Sequence, residues 1–424
     1  MDTIFALSSG APPAAIAVIR ISGPAARGAL ETLAGKVPLP RRLELARLRD
    51  SSGGLLDRAL VSFFPASGSV TGEDLAELHL HGGRAVIAAV EGALAAITGL
   101  RRAEPGEFTR RALANGKIDL AEAEGLADLL MAETEIQRRV ALGQAGGLLS
   151  RKVEAWRERV LALSAGLEAV LDFDDEDDVA VLPAQFAMGL LALSEEMEAA
   201  LAAPSAEKLR EGYRIAIAGP PNAGKSTLFN ALLGSEAAIA TPFAGTTRDV
   251  IERPVAIEGV PITLVDMAGL HDATSDPVEA IGIERAREEL LRADLVLWLG
   301  PEGEGPPGCW EVAGQCDRAD APAKANARFE ISAVTGEGIE QLIEAMVEQA
   351  RSGLPAPGEA VLNQRQRILV RRASTALGEA TSVSDHLIVA EHLRVARAAF
   401  DALLGRTATE DVLDAIFGRF CIGK

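Results

Sequence analysis

At 424 residues the chain is long enough for two to four domains, and with 48% hydrophobic and 24% charged residues it has an ordinary globular balance. A formal charge of −19, from 42 basic and 61 acidic residues, argues against a protein that grips nucleic acid over its whole surface. Three cysteines with no C-x-x-C pair argue against a disulfide framework or a zinc site, and the opening MDTIFALSSG has no secretory pattern.

Residues 1–117 hold 14 Lys/Arg against 11 Asp/Glu, so this segment is weakly basic and the remainder carries −22. It mixes short β-like runs (AAIAVIRIS, LVSFF, AELHLHG) with turns and one helix, GRAVIAAVEGALAAI. The most apolar stretch, AVIAAVEGALAAITGL, is cut by Glu91 and is too short to cross a membrane. A reduced, cytoplasmic protein with no membrane partner is expected. From 118 to about 207 apolar residues recur every three or four positions, which predicts helix. The acidic run DFDDEDD interrupts it before a second helical stretch from Ala184 to Ala203, and APSAE reads as a joint.

Residues 208–350 alternate strand and helix patterns, predicting a mostly parallel sheet with helices on both faces. Strands are expected at YRIAIAG, VIERPVAIEG, PITLVDMAG, LVLWLG, CWEVAG and RFEISA, the second and third joined at Glu258-Gly259. Between the first strand and a helix lies GPPNAGKST, a match to G-x-x-x-x-G-K-[ST] in its required context. Gly219 and Gly224 permit a tight loop whose N–H groups, with the helix N-terminus, attract phosphate oxygens. Asn222, Ala223, Gly224, Lys225, Ser226 and Thr227 are therefore expected to bind a nucleotide's phosphates, Lys225 through its charge and Ser226 through Mg²⁺. In AGTTRD, Thr247 is the candidate second Mg²⁺ ligand, ordered by the γ-phosphate. In DMAG, Asp266 can hold Mg²⁺ through water and the Gly269 N–H can sense the γ-phosphate. Leu270 cannot orient an attacking water, which leaves Glu279 as the candidate, and no arginine of this block is clearly placed to neutralise the transition state.

Only PEGEGPPG separates LVLWLG from CWEVAG. A parallel pair normally needs a crossover of roughly a dozen residues or more, so a lost helix and a bare strip on one sheet face are expected. Directly afterwards comes VAGQCDRAD, where a guanine reader would be Asn-Lys-x-Asp and this chain has Gly314, Gln315, Cys316 and Asp317. Asp317 can still accept both N–H groups of guanine's N1/N2 edge, and Ser332-Ala333 in ISAVTGEG can offer a backbone N–H to O6. A weakened but retained preference for guanine is expected. Beyond about 352 the chain is helical again up to IFGRFCIGK, which suggests one helical domain with the α/β block inserted.

The chain resembles the MnmE (TrmE) family of tRNA-modification GTPases over essentially its whole length. The inserted block matches in GPPNAGKSTLFNALLG, AGTTRD, DMAGL, IGIERA and ISAVTGEGI. The more specific matches lie in the flanks: DTIFAL, AVIRISGP, TGEDLAELHLHGG, PGEFTRRALANGKIDLAEAEGLADL and FCIGK. The resemblance implies an α+β folate-binding and dimerisation domain at 1–117, and an all-α domain at 118–207 and 351–424. Between the two helical parts, at 208–350, it implies a Ras-like GTPase domain. It implies a homodimer that works with the FAD-bearing partner MnmG, in a heterotetramer, to add an aminomethyl or carboxymethylaminomethyl group to carbon 5 of the wobble uridine of certain tRNAs. The one-carbon donor would be a 5,10-methylene- or 5-formyltetrahydrofolate. K⁺ would act where other GTPases use an arginine finger, as GTPase domains meet. Asn222 matches the K⁺-coordinating position, and Thr241, Phe243 and Thr246 match the loop that closes over the ion. Glu279 matches the water-orienting Glu, although the stretch before it is one residue longer here. Arg20, Glu77, Lys117 and Lys424 match the folate ligands, and the shared tail raises a role for the Cys421 thiol in the modification chemistry.

Two rival readings differ in class. A ribosome-assembly GTPase would share the inserted block, but the acidic helices and the folate-type N-terminus count against it. A scaffold with a degenerate GTPase domain would show no K⁺-stimulated turnover.

Overall fold

The computed structural model describes residues 2–172, 184–235, 238–240, 251–267, 288–319, 324–418 and 420–424. They form two compact units, Met1–Ala127 with Asp401–Lys424, and Asp128–Phe400.

The first unit is built on a six-stranded sheet in the order β3-β4-β5-β2-β1-β6. Its strands are β1 (Thr3–Leu7), β2 (Ile16–Ser22), β3 (Glu44–Arg49), β4 (Leu55–Phe64), β5 (Leu75–His81) and β6 (Leu100–Arg102). Neighbours are antiparallel except β1 and β6. The period of two sorts side chains to faces. In β2 and β5, Ala17, Ile19, Ile21, Ala76, Leu78 and Leu80 face a core closed by α1 (Ala26–Ala34) and α2 (Arg84–Ala95). Arg20, Glu77, His79 and Leu60 fall on the opposite face, where Ile16, Leu45 and Leu60 are exposed. Strands β1, β3 and β6 and helices α1 and α3 (Glu107–Ala114) add to the three runs and one helix expected from the sequence.

Beyond α3 the sequence is helical, as its periodicity predicts: α4 (Leu120–Met131), α5 (Glu135–Ala145), α6 (Leu148–Asp172) and α7 (Ala184–Ala202). Thr134 and Gln137 close a capping box on α5, a reciprocal pair that satisfies two otherwise orphaned N–H groups. A short α8 (Ala206–Glu211), capped by Ser205, leads into the second sheet.

That sheet has seven strands in the order β13-β12-β11-β7-β10-β9-β8. They are β7 (Tyr213–Ala218), β8 (Ala238–Ala240), β9 (Ile251–Ile257), β10 (Val260–Asp266), β11 (Leu295–Trp298), β12 (Trp310–Ala313) and β13 (Phe329–Glu330). The five from β10 through β13 are parallel, and β9 and β8 run antiparallel at one edge. Glu258 and Gly259, at φ 48° and 75°, make the expected two-residue hairpin turn, because type I′ needs positive φ at both positions. One face packs on α9 (Lys225–Leu233) and α10 (Ile339–Gly353), burying Ile215, Ile217, Leu228, Leu297 and Leu342. The other carries Ala216, Ala218, Val265 and Val296 beneath the helical residues 288–292. The chain then continues through α11 (Gln364–Ala380), α12 (His386–Leu403) and α13 (Glu410–Phe417). Helix α11 packs along α7, with Ser374 Oγ donating to Glu198 Oε1 at 2.7 Å.

The crossover between β11 and β12 holds turns and no helix, as the eight-residue spacer predicts. The expected bare strip is absent, because Trp298 fills it. A Cβ on Gly300 would stand 2.4 Å from the indole and one on Gly305 2.8 Å, so this glycine-rich loop lies directly on the ring. The Trp298 Nε1 donates to Pro301 O at 2.8 Å. On the next strand Glu311 takes the polar share of the same face. It is paired to Lys324 Nζ at 2.7 Å, and that ammonium also donates to Trp298 O at 2.8 Å.

Candidate functional site

Strand β7 is buried along its whole length and delivers the chain into the glycine loop. Gly219 has φ 151°, and a Cβ there would stand 3.0 Å from Gly300 N, so the loop needs glycine at its entrance. Asn222 takes a left-handed φ of 63°, and Gly224, at 91°, is the N-cap of α9. Helix α9 opens on Lys225, whose Nζ donates to Gly219 O and Pro220 O, both at 2.9 Å. The ammonium is buried inside its own loop. Ser226 follows, exposed, at a helix N-terminus where unpaired N–H groups favour an anion. Asp266 ends β10, buried, in register with Ile217 of β7 and so beside the same loop.

The candidate base side assembles from two other strand ends. Residues 314–318 follow β12 and residues 331–333 follow β13, tied by Cys316 N donating to Ile331 O at 3.1 Å. Ala223, Gly224 and Thr227 from the phosphate loop line one cavity together with Gly314, Gln315, Asp317 and Ala333. Residues about 90 positions apart in sequence are thus brought together as the motif order predicts. Ser332 lies just beneath: it is fully buried, with its N–H donated to Glu337 O and its hydroxyl accepting from Thr335 N. The wall of the cavity at this pair is therefore Ala333. The Cys316 thiol is pushed up by burial and by the neighbouring Glu337 and Asp317 carboxylates, which favours its protonated form. A contact the sequence did not signal is made by Gln315. Its Nε2 donates to Asn222 O at 3.1 Å, and Arg318 Nη1 donates to its Oε1 at 3.3 Å.

Thr241, Phe243, Thr246, Thr247, Gly269 and Glu279 lie outside the described residues. Among the described residues, no group of three or more His, Cys, Asp or Glu could hold a metal ion by itself. Mg²⁺ is commonly shared between one or two protein oxygens and a nucleotide's phosphates, and Ser226 and Asp266 are oxygen donors of that kind.

In the first unit Arg20 and Glu77 are directly opposed on β2 and β5, and Arg20 Nε donates to Glu77 Oε1 at 2.9 Å. Glu77 also meets His79 Nε2 at 3.3 Å. The C-terminal tail reaches the end of β1. Ile422 bridges Pro105, and a Cβ on Gly423, at φ 95°, would stand 2.2 Å from Leu7 O, so only glycine fits. Cys421, exposed, and Lys424 flank this seat at the end of β1, whose Ala6 is opposite Arg20 on β2. Lys117 Nζ donates to Ser67 O at 3.3 Å, beyond the end of β4.

Comparison with known proteins agrees with this layout. The family model described as the MnmE helical domain matches residues 120–421, and that described as the N-terminus of the GTP-binding protein TrmE matches residues 3–117. A protein of Erythrobacter litoralis (strain HTCC2594) named tRNA modification GTPase MnmE is 61% identical over 424 residues, covering all of both chains. A protein of the same name from Novosphingobium aromaticivorans is 57% identical over 435 residues, again covering all of both. One from Rhizorhabdus wittichii is 56% identical over 426 residues, covering 100% of this chain and 97% of that one. The chain belongs to the MnmE (TrmE) family.

Proposed function

We propose that this MnmE-family chain is a GTP-hydrolysing tRNA-modification enzyme. With the FAD-bearing partner MnmG, it adds an aminomethyl or carboxymethylaminomethyl group to carbon 5 of the wobble uridine. The observation that carries the GTPase half is the cavity that joins Asp317 and Ala333 to the phosphate loop at Ala223, Gly224 and Thr227. Asp317 accepts from the N1/N2 edge of guanine, and a carboxylate contact of that kind rejects adenine. The Lys225 ammonium and the loop N–H groups take the outer phosphates, with Ser226, Thr227 and Asp266 beside them. Ser226 and Thr247 would hold Mg²⁺, which when bound neutralises charge that develops on the phosphates. Asn222, with Thr241, Phe243 and Thr246, would hold K⁺. Glu279 orients the attacking water and Gly269 senses the γ-phosphate.

The remaining assignments follow the family. Residues 1–117 bind a 5,10-methylene- or 5-formyltetrahydrofolate and dimerise, 118–207 and 351–424 form the helical domain, and 208–350 form the GTPase domain. Arg20, Glu77, Lys117 and Lys424 are the folate ligands, and Arg and Lys suit the folate's glutamate carboxylates. The exposed Ile16, Leu45 and Leu60 on one sheet face support a homodimer, because apolar side chains grouped on one face favour burial against a partner. Among the described residues no helix is long and apolar enough to cross a membrane. Cys421, exposed in the tail, is the thiol available to the modification chemistry.

The test is hydrolysis of GTP, ATP and XTP by the purified chain in KCl and in NaCl. GTP-selective turnover that needs K⁺ supports the reading. Turnover without base preference removes Asp317 from its role, and none in either salt removes the hydrolase. Binding of 5-formyltetrahydrofolate that survives Arg20→Ala would remove the folate assignment.

A further inference from the structure

Two non-glycine residues in the left-handed region meet at the edge of the nucleotide cavity, Asn222 at φ 63° and Gln315, which lines it, at φ 61°. Such a backbone costs energy in any residue with a Cβ and persists where neighbours over-determine it. Here one hydrogen bond joins the two, from Gln315 Nε2 to the Asn222 carbonyl at 3.1 Å. The amide has its orientation set from behind. Arg318 Nη1 donates to Gln315 Oε1 at 3.3 Å, so the oxygen is taken and the N–H₂ end faces Asn222. Gly224 lies under the same amide, where an added Cβ would stand 3.3 Å from Nε2. The next residue but one after Gln315 is Asp317, on the wall of the same cavity.

We propose that Gln315 is a positioning residue that latches the base-reading loop to the phosphate loop and holds the Asn222 peptide in its left-handed turn. The proposal rests on the nucleotide-site reading above. Through this bond, the loop that bears Asp317 and the backbone that presents the Asn222 side chain move as one piece. Nucleotide retention and the monovalent-cation site are thereby coupled through a neutral side chain. Only a donor can serve an acceptor carbonyl, so an amide or an ammonium fits at 315 and a carboxylate does not.

The experiment uses the full chain and the variants Gln315→Ala, Gln315→Lys and Gln315→Glu. It reads dissociation of a fluorescent GDP analogue, the K⁺ concentration for half-maximal GTP turnover, and the GTP/XTP preference. Gln315→Ala is expected to speed GDP release about fivefold, the size of one neutral hydrogen bond, and to raise the K⁺ requirement. The GTP/XTP preference, set by Asp317, stays as in the parent chain. Gln315→Lys keeps a donor and stays within about twofold of the parent chain, whereas Gln315→Glu is at least as impaired as Gln315→Ala. The latch is overturned if Gln315→Ala releases GDP at the parent rate, or if Gln315→Lys does no better than Gln315→Ala. It is equally overturned if release changes while the K⁺ requirement stays put. A parent chain that binds no guanine nucleotide overturns the site reading itself, and so is told apart from failure of the latch alone.

Discussion

Lys324→Met is the sharpest test of how this GTPase-type sheet tolerates a missing crossover helix. The Lys324 side chain is only 4% exposed, and its ammonium meets Glu311 Oε2 at 2.7 Å and Trp298 O at 2.8 Å. Removing one partner of a buried pair typically costs about 3–5 kcal/mol, because the other charge is left desolvated and unpaired. Glu311 is 17% exposed and still accepts from Gly303 N at 3.0 Å, so part of that penalty is relieved and about 2–3 kcal/mol is expected. The double variant Glu311→Leu with Lys324→Met removes both charges and leaves an apolar side chain beside Trp298. It should recover to within about 1 kcal/mol of the parent chain. Guanidinium unfolding followed by tryptophan fluorescence reads this directly, since Trp298 and Trp310 stand on the two strands concerned. If Lys324→Met lay within about 0.5 kcal/mol of the parent chain, the pair would be an ordinary surface contact and would not replace a helix.

Three further outcomes are expected. Lys225→Ala removes the one ammonium enclosed by the phosphate loop and should weaken GTP binding about 10- to 100-fold by calorimetry, the range for a charge-assisted hydrogen bond; unchanged affinity would move the phosphates elsewhere. Asp317→Asn exchanges one of two acceptors for a donor, so GTP should lose and XTP gain in a competition assay, each by about tenfold or more; parallel losses would mean that Asp317 acts only through folding. In the first unit, the Arg101 guanidinium beside Asp2 holds that carboxyl below its ordinary value. Burial pushes Glu107 up, but bonds from Arg101, Glu104 N and Arg111 prevail and hold it low. Carboxylates depressed in the folded state contribute stability that is complete above about pH 4.5 and is lost as pH falls through the folded values. Melting temperatures between about pH 3 and 6 should therefore drop toward acid, less steeply in Arg101→Met, and identical slopes would refute the assignment.

The phosphate loop was legible because its information is local. A strand, a glycine loop and a helix follow one another within 21 residues, and the φ values of Gly219 and Gly224 are those the motif requires. The hairpin at Glu258-Gly259 was legible for the same reason. In the first sheet the edge strand Glu44–Arg49 escaped notice, because only Ala46 and Leu48 point inward and its charged residues mimic a loop. The five-residue β1 escaped because four successive buried residues show no alternation. The bare strip was wrongly expected because counting helices ignores side-chain volume: one tryptophan under a glycine loop filled it. The Gln315–Asn222 bond spans 93 residues and depends on two left-handed backbones, so no local pattern announces it.

The same sheet explains how residues 314–318, the proposed base reader, keep their place beside a crossover that lacks a helix. Strands β7, β11 and β12 are parallel neighbours, so the loops after their C-terminal ends open on one edge of the sheet, where ligands bind in such folds. The position of residues 314–318 on that edge follows from the register of β12 on β11, Leu297 opposite Trp310, and that of β11 on β7, Leu297 opposite Ile217. The path of the chain between β11 and β12 does not enter this relation. Those ladders and the apolar face beneath them, with Ile217, Leu297 and Val312 all buried, hold β12 in place. Shortening the crossover therefore removes cover from the opposite face, which Trp298, Glu311 and Lys324 restore, and leaves Asp317 on the cavity wall with Ala223 and Gly224. Insertion of a flexible Gly-Ser segment at Gly303, in the loop between Leu297 and Trp310 and outside both ladders, should accordingly change stability more than GTP/XTP preference. A shift in base preference as large as that of Asp317→Asn would show that the connection, and not the register, sets the reader.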